Sequence, residues 1–239
     1  MKKHKNLFLI AASILLTVLT AEAQSADPAA APKKGALEIG ITVIPQMSAL
    51  RNMSDESSHF FSYENTFSYA GGISAQYLFT EKAGIGLDLL YSMQGQKYSY
   101  QWVEYYKQLD YIKIPLMFVY KEPIGSKHYF VAKVGPQIGL LSSAVLADQS
   151  GHTIGTNTKS EYQGMDYSML VSFGLSFKAS EKLAFDLGIK YDYSFSNAEN
   201  TGNNAEINTN AASTGTAINR PGTYNSTFGL YLGVKYCLK

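Results

Sequence analysis

Three histidines, His59, His128 and His152, lie beyond the N-terminal leader-like stretch that also holds His4. Imidazole is the commonest general base near neutral pH. A nucleophilic Ser or Thr needs such a base within hydrogen-bond reach, usually with an acid to orient it. His59 follows Ser57-Ser58 and sits close to Asp55 and Glu56, so one segment holds hydroxyls, an imidazole and two carboxylates. Yet His59 and His152 fall in long polar stretches and His128 falls beside a turn. None falls on a regular strand facing lipid, where a lipid-modifying enzyme would meet its acyl substrate. Asp55, Glu56 and His59 offer three possible metal donors, whereas structural zinc takes four well-placed ligands. The expectation is a chain that is not an enzyme, with no catalytic residue, no metal ligand and no cofactor.

A second set of ionisable groups has a different character. Glu38, Asp88, Asp186 and Asp192, with Lys113, Lys133, Lys190 and Lys235, each stand inside segments of alternating apolar and small or polar residues. Acids and bases balance, so they can pair if those segments enclose a narrow interior. An unpartnered buried charge costs several kcal/mol. These eight residues are expected to form a salt-bridged network filling a lumen.

The elements that must position them begin after an exported leader. Lys2, Lys3 and Lys5 form a positive start, Leu7 to Thr20 is apolar, and Ala21-Glu22-Ala23 before Gln24 is a small-residue cleavage site. That is the layout of a secretory signal peptide, and the apolar run is shorter than the roughly 20 residues a membrane helix needs. The expected organisation is a signal peptide over 1–23, an Ala/Pro-rich periplasmic linker over 24–35, and one barrel domain over 36–239. A formal net charge of +1 with 16% charged residues argues against a nucleic-acid partner. The single cysteine, Cys237, excludes an intramolecular disulfide framework.

Past the linker the pattern has period two, the signature of strands with unlike faces. In Lys182 to Phe195, Leu183, Phe185, Leu187, Ile189, Tyr191, Tyr193 and Phe195 share one face. Ala184, Asp186, Gly188, Lys190, Asp192 and Ser194 share the other. Seven more strands are expected at about 36–46, 66–79, 83–95, 109–120, 128–142, 166–178 and 225–238. Short turns lie between them at 80–82, 121–127 and 179–181, and long polar connections at about 47–65, 96–108, 143–165 and 196–224. Long and short connections alternate as in an up-and-down barrel whose long loops emerge at one end. Pro115 and Pro136 each remove a ladder donor, and a bulge or kink is expected at both. Lys97 to Val103 keeps the alternation and is expected to extend a hairpin above the membrane, with Trp102 as an exposed contact.

Volume decides which face is outside. An eight-stranded barrel has an interior just wide enough to be filled by side chains, and the apolar face is too bulky for it. The other face carries Gly40, Gly72, Ser74, Gly86, Gly135, Gly139, Ser172, Gly174, Gly188 and Gly233. Small and polar residues therefore look inward and the oily face meets lipid. Aliphatic outward residues sit mid-strand, while Tyr and Phe gather at strand ends in two girdles, as in membrane barrels. In lipid every backbone donor and acceptor must be paired, so the strands must close. The expected fold is all-β, an eight-stranded antiparallel up-and-down transmembrane β-barrel.

The segments Leu109-Asp110-Tyr111-Ile112-Lys113-Ile114-Pro115-Leu116 and Lys133-Val134-Gly135-Pro136-Gln137-Ile138-Gly139-Leu140, followed by the terminal strand Phe228 to Tyr236, resemble the PorT-like outer-membrane β-barrel family of Bacteroidota. The resemblance implies an outer-membrane location and a family whose members have diverse roles. A departure is the end of the chain, Tyr236-Cys237-Leu238-Lys239, where such barrels finish on an aromatic residue. The expected role is non-enzymatic, either envelope-structural or binding through loops. A small-solute channel is the first alternative and a lipid-modifying enzyme the second. Expected partners are outer-membrane lipid and lipopolysaccharide, the barrel-assembly machinery during insertion, and an unidentified partner of the long loops, with the chain monomeric.

Overall fold

The computed structural model describes residues 34–52, 62–100, 103–124, 127–148, 152–156, 158–200 and 222–238. The expected signal peptide with Ala21, Ala23 and Gln24, all but the end of the linker, Asp55, Glu56, His59 and Trp102 lie outside these residues.

Among the described residues the strands are β1 (Leu37–Asn52), β2 (Ser62–Leu78), β3 (Ala83–Tyr100), β4 (Val103–Pro123), β5 (His128–Asp148), β6 (Thr153–Thr156), β7 (Met165–Lys178), β8 (Leu183–Ser194) and β9 (Thr223–Cys237). All pair antiparallel. β9 returns to β1, and a β4–β5 pairing completes the ring, so eight strands close into an up-and-down barrel. The four-residue β6 adds to the far end of β5, beyond the point where β7 pairs with it. No strand of the barrel keeps a free edge through the lipid, as an environment without hydrogen-bonding solvent requires.

The period-two pattern reappears as burial. Outward Ile41, Ile73, Leu87, Leu89, Leu116 and Leu230 are exposed on the wall, while Gln76, Ser92, Lys113, Gln137 and Asp192 between them are buried. Phe67, Tyr69, Tyr91, Tyr191 and Tyr193 ring the long-loop end of the outer face, and Tyr77, Phe79, Phe118, Tyr120 and Tyr236 ring the short-turn end.

Four expectations need correction. The connections at 47–65 and 96–108 are shorter than expected, because β1 runs to Asn52, β3 to Tyr100 and β4 starts at Val103. β4 has 21 residues, about twice what a tilted membrane-spanning strand uses. The wall therefore projects well past the outer girdle, because no Gly or Pro pair interrupts the alternation there. The prolines open gaps without bulges: the β3–β4 ladder skips Ile114 and Pro115 and the β4–β5 ladder skips Leu116 and Met117, with register kept. The register shift in β4–β5 lies between Asp110 and Tyr111 instead.

Lys121, expected in a turn, is in β4 and buried inside the barrel. Finally, the interior is not only small and polar. Ile44, Leu90, Met117, Val119, Val131, Leu170 and Tyr231 also point inward and pack in apolar clusters along the wall. Gly174 and Gly188 leave the room that Tyr231 fills: a Cβ at either would come within 2.4 Å of its ring or hydroxyl. A close-packed interior demands this filling.

Candidate functional site in the charged lumen

The charged residues stack in tiers along the barrel axis. Nearest the short turns, Lys121 of β4 donates to both carboxylate oxygens of Glu38 on β1, at 2.8 and 2.7 Å. Lys235 of β9 approaches the same carboxylate at 3.9 Å, lies 2.6 Å from Asp186 on β8, and donates to Gln76 Oε1 at 3.1 Å. One tier up, Lys133 Nζ stands 5.0 Å from the centroid of the Tyr231 ring, a cation–π contact. Asp88, on β3 and so separated from Lys133's β5 by β4 alone, is in no ion pair within 4 Å among the described residues.

The third tier centres on Asp192. Lys113 of β4 reaches it at 2.9 Å and Lys190 at 3.4 Å. Gln137 Nε2 donates at 3.0 Å, and the Thr227 hydroxyl donates to the other oxygen. Gln137 also donates to Ser168 at 2.9 Å. At the long-loop end, Asp166 accepts from the Ser194 and Ser196 hydroxyls and from Asn225. Tyr111, which accepts a bond from Asn225, ties this last group to an apolar cluster of Leu50, Leu109, Leu141, Ala144 and Tyr162.

All eight residues singled out for the lumen lie on the inner face: Glu38, Lys113, Asp186, Lys190, Asp192 and Lys235 are buried, Asp88 and Lys133 partly so. Six of them share direct ion pairs, whereas Asp88 and Lys133 do not. Sequence reasoning missed Lys121, because Pro123 and Gly125 made its segment look like a turn, and Asp166, because it opens a strand beside a polar loop. The period-two count carried forward through β4 from Lys113 would have placed Lys121, eight residues on, inside.

The histidines do not converge. His128 opens β5 and meets Phe177 edge-on at 5.2 Å between ring centroids. His152 lies beyond the other end of that strand, exposed, with Nδ1 3.6 Å from Asp148. A 21-residue strand separates them by some 60–70 Å at about 3.3 Å per residue, so they cannot serve one site. Among the described residues no group of three or more His, Cys, Asp or Glu converges as a metal site.

A closed antiparallel barrel with lipid-suited aliphatic and aromatic residues outside and paired ions inside defines the class of outer-membrane β-barrel proteins. The chain belongs to the outer membrane protein beta-barrel domain family, whose profile matches residues 22–200; β9, which closes the ring, falls beyond that match. Among solved structures the chain is similar to the outer membrane protein OprG from Pseudomonas aeruginosa, with 11% identity and a TM-score of 0.44 over 86% of this chain and 97% of that one. It is also similar to Neisserial surface protein A, with 12% identity and a TM-score of 0.46 over 85% and 99%. A third is Ail, the attachment invasion locus protein of Yersinia pestis, with 13% identity and a TM-score of 0.41 over 86% and 100%. No curated protein matches the chain.

Proposed function

We propose that this chain is a non-enzymatic integral outer-membrane protein with a plugged lumen, serving envelope structure or binding through its long-loop end. One observation carries this: Lys113–Asp192 and Lys121–Glu38 cross the interior at 2.9 and 2.7 Å between strands that are not neighbours. Each obstructs the bore with side chains from two walls. An eight-stranded barrel has no width to spare beside them. A binding role suits the projecting ends of β3, β4 and β5, a rigid stalk for the connections between them, where function concentrates.

A closer kinship, to the PorT-like family of Bacteroidota, is part of the same proposal. Its support is that the two resembling segments pair directly in β4 and β5, Lys113 opposite Gly139 and Pro115 opposite Gln137. Residence among outer-membrane lipid and lipopolysaccharide, insertion by the barrel-assembly machinery, a monomeric state and removal of a signal peptide after Ala23 belong to it as well.

The test is planar-bilayer recording with the purified, refolded full chain. The expected record is no current steps above leak. Regular steps that change when Lys113 or Lys121 is replaced would favour the small-solute channel and end the plug. An enzymatic role predicts altered lipid profiles when His59, His128 and His152 are replaced together, whereas unchanged profiles are expected.

A further inference from the structure

Where prolines interrupt the ladders of the barrel, the register is kept. The seam between β2 and β3 behaves differently. Pairing runs from Leu78 opposite Gly84 to Ala70 opposite Ser92, lapses, and resumes at Asn65 opposite Gln96 with the register shifted. Residues 66–69 of β2 and 93–95 of β3 have no cross-strand partner, four against three, a bulge that contains no proline.

A third strand replaces the missing bonds. Ser48 of β1 reaches past β2 on the inner side. Its Oγ accepts from Gly95 N at 2.9 Å, and its one proton serves Gly95 O at 3.1 Å or Thr66 O at 3.3 Å. Gln46, also on β1, donates from Nε2 to Met93 O at 3.0 Å and to Ser92 Oγ at 3.1 Å. Three more oxygens at the seam, Thr66 Oγ1, Ser68 Oγ and Gln94 Oε1, are buried without a hydrogen-bond partner. On the outer side Phe67 and Tyr69 are exposed and stand edge to face at 5.0 Å. They belong to the long-loop girdle, so the seam lies where hydrocarbon gives way to headgroups.

A ladder bond breaks only when two strands part. The bonds from Ser48 and Gln46 break when those side chains change rotamer, with no backbone displacement. The three unpartnered oxygens penalise the closed arrangement, and interfacial water meets them once the seam parts. Paired stretches bound the opening at both ends. Below it β2 and β3 press together at Gly72, where a Cβ would come within 1.9 Å of Leu89 O, and above it Ser62 to Asn65 pair with β3 again. The slot between them is about 13–16 Å long at about 3.3 Å per residue.

We propose that this seam is a side window of the barrel, latched by Ser48 and Gln46, that opens the outer end of the lumen to the outer leaflet. It goes beyond the plugged-lumen reading. The Lys113–Asp192 and Lys121–Glu38 braces stay in place, so the window opens sideways and carries no current along the axis. Its lining of hydroxyl and amide groups bears no charge, so it accepts the uncharged polar head of an amphiphile and not an ion.

The experiment uses the refolded full chain in vesicles, with Cys237→Ser to remove the native thiol. Gln94→Cys puts a thiol inside the seam. Ser168→Cys puts one on the inner face of β7, whose ladders to β5 and β8 are unbroken there. A long-chain N-alkylmaleimide confined to the bilayer is expected to label Gln94→Cys and not Ser168→Cys. Adding Ser48→Ala should speed the first reaction several-fold and leave the second unchanged. A charged, water-soluble maleimide should react more slowly with Gln94→Cys than the alkyl reagent does. Amide exchange in the parent protein serves if a variant does not fold: residues 66–69 and Gly95 should exchange together and faster than residues 87–90. Equal labelling at the two positions, faster labelling from water than from the bilayer, or equal amide protection in the two stretches would overturn the window. Current steps in a planar bilayer would overturn the plug and leave the window standing.

Discussion

Lys113 and Lys121 leave the same strand, β4, in opposite directions around the ring. Lys113 meets Asp192 on β8 at 2.9 Å, and Lys121 meets Glu38 on β1 at 2.7 Å. Strand order places β8 and β1 three steps away on either side of β4. β4 therefore braces both halves of the wall through the interior, independently of its ladder bonds to β3 and β5.

Removing one end of a buried brace leaves an unpaired charge, which costs about 3–5 kcal/mol. Lys113→Ala should fall at the lower end of that range, since Asp192 keeps Lys190 at 3.4 Å and the Gln137 amide. Asp192→Asn strands two lysines and should cost more. The double variant should be less destabilised than the sum of the two, by about 0.5–3 kcal/mol as expected for contacting residues. Urea unfolding of the refolded barrel in vesicles measures all three. Strict additivity would mean the two groups do not interact across the lumen.

The glycines separate into two kinds. A Cβ on Gly72 would stand 1.9 Å from the backbone oxygen of Leu89, where β2 and β3 press together, whereas one on Gly233 would meet nothing nearer than 3.5 Å. Gly72→Ala must push two paired strands apart and is expected to lower the yield of folded barrel sharply. Gly233→Ala should change stability by no more than about 0.5 kcal/mol. Parallel refolding yields and unfolding midpoints give the comparison.

Side-chain parity was legible in the residues because a strand in lipid must keep an oily face, and one slipped residue would reverse it. What each inward residue touches was not legible. Lys113 and Asp192 are neighbours only because the ring closes with β4 three strands from β8, a relation set by barrel shear and closure. The large inward residues were hidden for a local reason. In Leu89-Leu90 and Met117-Phe118-Val119 both faces are apolar, so alternation carries no contrast there. Asp166 was passed over because its neighbours Gly164 and Ser168 give no apolar frame on its side.

The outer face should show its depth. Leu230 is exposed mid-strand on β9, while Tyr236 lies on the same face in the short-turn girdle. Leu230→Arg places a cation near the middle of the hydrocarbon and should cost about 2–4 kcal/mol, and Tyr236→Arg about 0–1 kcal/mol. Reversible unfolding from vesicles measures both. Equal costs would mean that the face does not meet a bilayer in this orientation.

At the short-turn rim the chemistry is ordinary aqueous electrostatics and gives a prediction with a definite sign. Glu122 accepts from Lys82 Nζ at 2.7 Å and from the Tyr120 hydroxyl. The Lys82 ammonium, first, and the Tyr120 hydroxyl, second, hold its carboxyl below the ordinary 4.5. A depressed folded value means that the folded state gains from the ionised form. That gain is present above the ordinary value and is lost as pH falls through the lowered one, so the affected window is the acid side of 4.5. Both groups are exposed to solvent, so the effect on stability is small and shrinks with salt. Lys82→Ala should bring the Glu122 titration, followed by carboxyl-labelled NMR, back up toward the ordinary value. Tyr120→Phe should do so to a lesser degree, because it removes a neutral hydrogen-bond donor and leaves the ammonium in place. A larger shift from the tyrosine than from the lysine would reverse the assigned order of causes.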